Sequence, residues 1–186
     1  VDNLESCDLV ATFAGSHYDF IVCADVLEHL SRPEHVLAAC RQLLQPEGRL
    51  LISVPNAGYT GLIAELLDGE FLYREEGLLD RTHLRFFTRR SLARFLGEQR
   101  WAIDSVDTIA RELPESEFDA AFDRLPPSVA RHLLGAPDAL SYQFICMAHP
   151  VAATQPAWAP STTPAAPAQA RFTAQLYLGH DGHYSE

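Results

Sequence analysis

Two short apolar runs, residues 18–24 and 49–54, flank a segment in which Val36, Leu37, Cys40, Leu43 and Leu44 recur at helical spacing. Short apolar runs bounded by polar turns suit strands of a parallel sheet, whereas a stripe recurring every three to four residues suits an amphipathic helix. The spacing predicts a helix over 32–45. Ser31 and Glu34 stand at capping-box separation with Pro33 in the first turn, and Pro46-Glu47-Gly48 supplies a stop. A strand–helix–strand unit of this kind crosses over right-handed. Asp25-Val26-Leu27-Glu28-His29 then emerges at the carboxyl edge of the sheet, where open α/β folds bind ligands.

The pattern continues downstream. Thr88 is placed to cap a helix carrying Leu92, Phe95 and Leu96, and residues 101–109 and 142–148 read as two further strands. Between them, Phe118, Phe122, Leu125, Val129 and Leu133 keep helical spacing across a break at Pro126-Pro127, which predicts two short helices. Residues 150–170 are rich in Ala, Pro, Thr and Ser and carry no charge, as expected of a semi-rigid linker. Residues 171–178 alternate like a strand and read as the start of a further β-rich module, truncated at residue 186. His180-Asp181-Gly182-His183 has metal-ligand residue types but no fixed third ligand, so no metal is expected there, nor elsewhere in the chain.

Three segments in order, DVLEHL at 25–30, PEGRLLISVPN at 46–56 and LLDRTHLRFFT at 78–88, resemble class I S-adenosylmethionine-dependent methyltransferases. The resemblance runs over about residues 2–149. It implies an α/β, Rossmann-like class I methyltransferase fold with a mixed sheet whose last strand is antiparallel, and S-adenosyl-L-methionine as cofactor. It implies methyl transfer to a small molecule, a sugar or a cell-surface glycan; the 115–134 helices are expected to cover the acceptor side, and plain packing against the sheet explains their stripe equally well. It also shows a gap. The family carries a glycine-rich loop after its first strand and a ribose-binding acid after its second, yet the only glycine before Gly48 is Gly15. The expectation is therefore a partial fold: residues 1–149 as the carboxyl-terminal half of a methyltransferase domain within a longer polypeptide, binding the cofactor weakly alone. The strand at 18–24 would then have a bare edge, open to self-association.

Composition narrows the field. At 186 residues and 47% apolar the chain suffices for one core, and a net charge of −11 disfavours nucleic acid as a partner. All 14 basic residues are arginine, which removes Schiff-base lysines, P-loop lysines and Tyr-x-x-x-Lys dehydrogenases. No apolar run is long enough to span a membrane. Cys7, Cys23, Cys40 and Cys146 form no C-x-x-C pair and read as core thiols of a reducing, cytoplasmic compartment.

Methyl transfer from a sulfonium needs an aligned acceptor first and a base second. His29 and His83 are the candidate bases, since an imidazole titrates near neutrality. His29 reads equally as a helix-start residue, and His83 as part of a structural turn in which Asp80 pairs with Arg81 or Arg85. The resemblance places Asp2, Asn3, Ala24, Asp25 and Val26 on the cofactor, and Glu28, Asn56, Arg81 and Arg85 towards the acceptor. Asp25 and Glu28 also suit a helix amino terminus, and Asn56 an Asx turn. Arg89, Arg90 and Arg94 extend a basic patch that suits an acceptor anion or plain solvation. A non-catalytic methyltransferase-like binding or scaffold module is the alternative reading.

Overall fold

A computed structural model describes residues 4–118, 122–152 and 176–177. Asp2, Asn3, most of the 150–170 stretch and the two histidines at 180 and 183 lie outside the described residues. The strands are β1 (Tyr18–Ala24), β2 (Leu44–Pro55), β3 (Trp101–Ala110), β4 (Ser141–Pro150) and β5 (Leu176–Tyr177). The helices are α1 (Leu9–Thr12), α2 (Pro33–Leu43), α3 (Thr60–Leu67), α4 (Arg89–Glu98) and α5 (Pro127–Leu134). The sheet order is β3-β4-β2-β1-β5. β1 and β2 run parallel around the α2 crossover, with Ile21 opposite Leu50 and Cys23 opposite Ile52. β4 runs antiparallel to both β2 and β3, giving the expected mixed sheet. β5 meets β1 in parallel at Cys23 and Ala24.

Two local expectations are corrected. Pro46-Glu47-Gly48 does not end the helix from outside a strand; α2 stops at Leu43 and β2 starts at Leu44. The register with β1 jumps between Tyr18 and Phe20, and this irregularity absorbs Pro46, which cannot donate to a ladder. Gly48 lies so close to β1 that an added Cβ would stand 3.0 Å from the Tyr18 carbonyl oxygen. The start of α2 also lacks the capping box: Arg32 is the cap residue and no side chain caps it locally. Glu5, distant in sequence, takes that role by accepting the Arg32 amide at 2.7 Å and the Ser31 hydroxyl at 2.7 Å. The Thr88 cap forms as predicted, with Ser91 completing it reciprocally.

The main core packs α2 and α4 against the sheet through Leu37, Cys40, Leu92, Leu96, Leu50, Ile52, Trp101 and Phe144. Full burial of each such aliphatic side chain contributes about 1.5–3 kcal/mol. A second cluster, Tyr59, Leu62, Leu78, Leu79 and Phe118, lies beneath α3. α3 has no counterpart in the sequence-based expectations, because seven of its eight residues are apolar or small and show no polar face. Within this cluster Leu78 and Leu79, both buried, pin the chain just before Asp80. Among the described residues no helix is long and apolar enough to cross a membrane.

Candidate functional site

The strand end sets the first half of the site. β1 ends at Ala24 and the chain turns at Asp25, whose φ of 50° lies in the left-handed region that Asp tolerates better than most residues. Two neighbouring strand ends hold this turn. From β2, Ser53 Oγ accepts the Asp25 amide at 3.0 Å and donates to Asp25 Oδ1 at 3.1 Å. From β4, the Gln143 side-chain amide donates to the same oxygen. The turn then folds into one 3-10 turn, Leu27–His29, with Leu27 fully buried beneath it.

The second half arrives from the 78–88 segment. Asp80 Oδ1 accepts the Thr82 amide at 2.7 Å and the Thr82 hydroxyl at 2.5 Å, closing an Asx turn. The Glu28 carbonyl accepts the amides of Leu84 at 2.7 Å and Arg85 at 3.0 Å, which staples this segment to the 3-10 turn. The result is a pair of imidazoles, His29 and His83, with ring centroids 4.8 Å apart. Their tautomers follow from their partners. His83 Nδ1 faces the Leu78 carbonyl at 3.1 Å, an acceptor only, so Nδ1 carries the hydrogen. His29 Nδ1 lies 2.9 Å from Thr82 Oγ1, whose own hydrogen goes to Asp80, so His29 also donates from Nδ1. Both rings therefore carry their lone pair on Nε2.

Glu28 completes the group. The residue is 1% exposed, and among the described residues neither carboxylate oxygen has a hydrogen-bond partner. Burial, assisted by the nearby Asp25 charge, pushes its pKa up to about 8. A bare buried carboxyl of this kind normally costs several kcal/mol and calls for a task. Glu28, His29 and His83 each place one ligand-type atom within 4.8 Å of the others.

The remaining predicted residues fall in different places. The Val26 side chain is fully buried, while Asp25 is exposed. Asn56 is 1% exposed: its Nδ2 donates to the Ser141 carbonyl at 2.7 Å and its Oδ1 accepts the Gly58 amide at 2.8 Å. Arg81 pairs with Glu75 at 2.8 Å in solvent, and Asp80 accepts from the Thr82 amide at 2.7 Å. Arg85 donates to the backbone carbonyls of Leu30 and Ser31. Arg89 grips Asp138 with two bonds of 2.6 and 2.7 Å and lies over Phe144.

Ser53, Thr82 and Gln143 had no role in the sequence analysis. Only Thr82 had a legible signal, the Asp-x-Thr spacing of an Asx turn; the other two act through strand pairing. Beside His83 stands an exposed aromatic wall. Phe86 lies 6.4 Å from the His83 ring and 6.0 Å from Phe71, which in turn touches Tyr73 at 5.4 Å. Phe71 is 43% exposed and Tyr73 50%, unusual for side chains of that size.

Comparison with known proteins adds a family context. A family described as a methyltransferase domain matches residues 5–106. A ubiquinone biosynthesis O-methyltransferase of Aromatoleum aromaticum is 33% identical over 89 residues, covering 45% of this chain and 37% of that protein. The protein of the same name from Burkholderia pseudomallei is 28% identical over 93 residues, covering 50% of this chain and 40% of that one. The matched part of the chain thus spans about two fifths of the length of these relatives. Among solved structures, one from Bacillus halodurans assigned as a methyltransferase superposes with a TM-score of 0.53 at 13% identity, covering 81% of this chain and 70% of the other. At that identity the likeness is one of fold.

Proposed function

The chain belongs to the methyltransferase domain family, of the class I S-adenosylmethionine-dependent type, and from that premise we propose that it forms the acceptor side of an O-methyltransferase acting on a small apolar, ring-bearing molecule. The observation that carries this reading is the meeting of Glu28, His29 and His83 at the carboxyl end of the parallel strands. A scaffold role would leave this buried ionisable group without a task.

S-adenosylmethionine supplies an activated methyl group when bound. Ala24, Asp25 and Val26 would face it, Val26 through its backbone alone. The fit rests on Asp25: an exposed carboxylate, fixed by Ser53 and Gln143 at the strand ends, suits a cationic ligand. The glycine-rich loop and ribose acid of the family are not among the described residues.

The acceptor's hydroxyl must shed its proton as the new carbon–oxygen bond forms. The Nε2 lone pairs of His29 and His83 are prepared to take it, because Thr82 and the Leu78 carbonyl hold both rings in the Nδ1–H tautomer. Asp80 orients Thr82 and so acts on His29 at one remove. Phe71, Tyr73 and Phe86 would pack against the ring of the acceptor and exclude water from the imidazole side. The relatives' name, O-methyltransferase, accords with a hydroxyl acceptor.

The test is transfer of labelled methyl from S-adenosylmethionine to a panel of phenols, sugars and carboxylates by the intact polypeptide. His29→Ala or His83→Ala should lower turnover by about 10²–10⁴ with cofactor affinity nearly unchanged. Turnover near wild type in both variants would remove these residues from the proton transfer.

A further inference from the structure

We propose that the edge of the sheet opposite Asp25 carries an anion site, built on Arg41 and Arg100 and suited to a phosphate monoester with a small apolar body. It lies apart from the methyl-transfer site. The seven residues of β1 run from this edge to Asp25 and separate the two by about 20 Å.

The cavity comes first. His17 leads into β1, Arg41 stands in the last turn of α2, Gln45 and Pro46 lie near the start of β2, and Pro150 and Val151 stand at the end of β4. All six line one surface cavity of about 590 Å³. Small-molecule pockets run to about 300–1,000 Å³ and combine an apolar wall with a few polar groups. Here Pro46, Pro150 and Val151 are the wall, and a guanidinium, an amide and an imidazole are the polar groups.

The second observation is uncompensated charge. The sequence carries 25 acidic side chains against 14 basic ones, yet neither Arg41 nor Arg100 forms an ion pair among the described residues. The two guanidinium groups are neighbours instead: burial first, and the Arg100 charge second, hold the Arg41 pKa below its ordinary value. Two cations brought together without a carboxylate favour a dianion. A phosphate monoester carries about −1.5 to −2 at neutral pH.

The third is that Arg41 is anchored yet incompletely used. Its Nη2 donates to the Gln99 carbonyl, and its guanidinium lies over the Trp101 ring, 5.7 Å from the centroid. Its Nε, shielded from solvent, has no acceptor among the described residues. Buried donors are ordinarily paired, and the planar fork of a guanidinium matches the oxygens of a phosphate. The turn that presents Arg100 is fixed as well. Arg100 adopts φ 59°, its amide donates to the Gly97 carbonyl at 3.0 Å, and its carbonyl accepts the Val151 amide at 2.9 Å. Val151 belongs to the cavity wall, so that last bond holds Arg100 beside the cavity before a ligand arrives.

Phenyl phosphate is the probe, with benzoate and phenol for comparison, titrated into the isotope-labelled full chain and followed by amide NMR shifts. Phenyl phosphate should saturate one site, with shifts concentrated on His17, Arg41, Gln45 and Val151 and absent at Asp25 and His83. Benzoate, with a single charge, should bind at least about tenfold more weakly, and phenol should not saturate. Arg41→Gln should weaken phenyl phosphate binding at least about tenfold, the scale of one charge-assisted hydrogen bond. Arg100→Asn, which tolerates the left-handed turn, should weaken it about threefold, and less so in about 0.5 M salt. Arg131→Gln, on the exposed surface of α5, should bind as wild type does. Should Arg41→Gln fail to fold, the shift map and the Arg100→Asn titration still decide. No saturable binding, shifts centred on Asp25 or His83, benzoate or phenol binding as tightly as phenyl phosphate, or affinity unchanged in Arg41→Gln and Arg100→Asn would each overturn the site.

Discussion

Asn56→Ala tests whether Asn56 serves the acceptor or the architecture. The side chain sits at the end of β2 and bridges two other pieces of chain. Its Nδ2 donates to the Ser141 carbonyl at the start of β4, and its Oδ1 accepts the Gly58 amide in the turn towards α3. Its own amide donates to the Tyr142 carbonyl, and the following amide, Ala57, donates to the Phe87 carbonyl. Truncation to Ala spares the backbone bonds and deletes both side-chain bonds. The Ser141 carbonyl, beside a residue 8% exposed, loses a partner in a dry setting, while the Gly58 amide, partly buried, has some access to water. An unsatisfied buried group costs about 1–3 kcal/mol, so one full and one partial loss come to roughly 2–4 kcal/mol. Urea unfolding followed by far-ultraviolet circular dichroism reads this directly. With m on the order of 2 kcal/mol/M, the midpoint should fall by about 1–2 M at unchanged m. Asn56→Asp keeps the acceptor for Gly58 but turns an anion towards the Ser141 carbonyl, and should be no more stable than the alanine variant above the carboxyl's pKa. A midpoint shift under about 0.3 M for Asn56→Ala, together with a large loss of methyl transfer, would refute the architectural account and return Asn56 to the acceptor.

Three further outcomes are expected. Gly61→Ala raises helix propensity by about 1 kcal/mol, yet its Cβ would stand 2.7 Å from both Phe118 Cβ and a Tyr59 ring carbon, so the variant should be less stable by thermal unfolding; a gain in stability would refute the packing argument. The Arg89 guanidinium holds the Asp138 carboxyl below its ordinary value of 3.8, so the pair stabilises the fold above that pH and this contribution is lost as pH falls through the lower folded value. Asp138→Asn, tolerated at φ 62°, should therefore differ from wild type at pH 6 and converge with it in acid, and a constant gap across pH would exclude the ion pair as the cause. Lastly, among the described residues β5 pairs with β1 at Cys23 and Ala24, so residues 20–22 should exchange their outward amides quickly or be protected by self-association that grows with concentration; a monodisperse monomer with strong protection there, by light scattering and amide exchange, would count against an open edge.

The sequence by itself determined the sheet and the order of its parts. The apolar runs at 18–24 and 49–54, the stripe through Leu37 and Cys40, and the Thr88 cap are local signals, and local geometry reproduces them. It also marked His29 and His83 as the imidazoles of interest, because each stands at the edge of a motif. Tertiary structure alone decided that they meet. They are 54 positions apart, and their 4.8 Å contact depends on Leu84 and Arg85 donating to the Glu28 carbonyl. The isolation of the Glu28 carboxylate was likewise illegible, since Glu28 in sequence is one acid before a helix and only packing removes its water. The cap of α2 followed the same rule. The local candidates Ser31 and Glu34 lost to Glu5, a residue 27 positions from Arg32, because hydrogen bonds are satisfied by whatever the fold brings within reach. Periodicity reports what the backbone does over a few residues, whereas a site is made of contacts between segments that share no period.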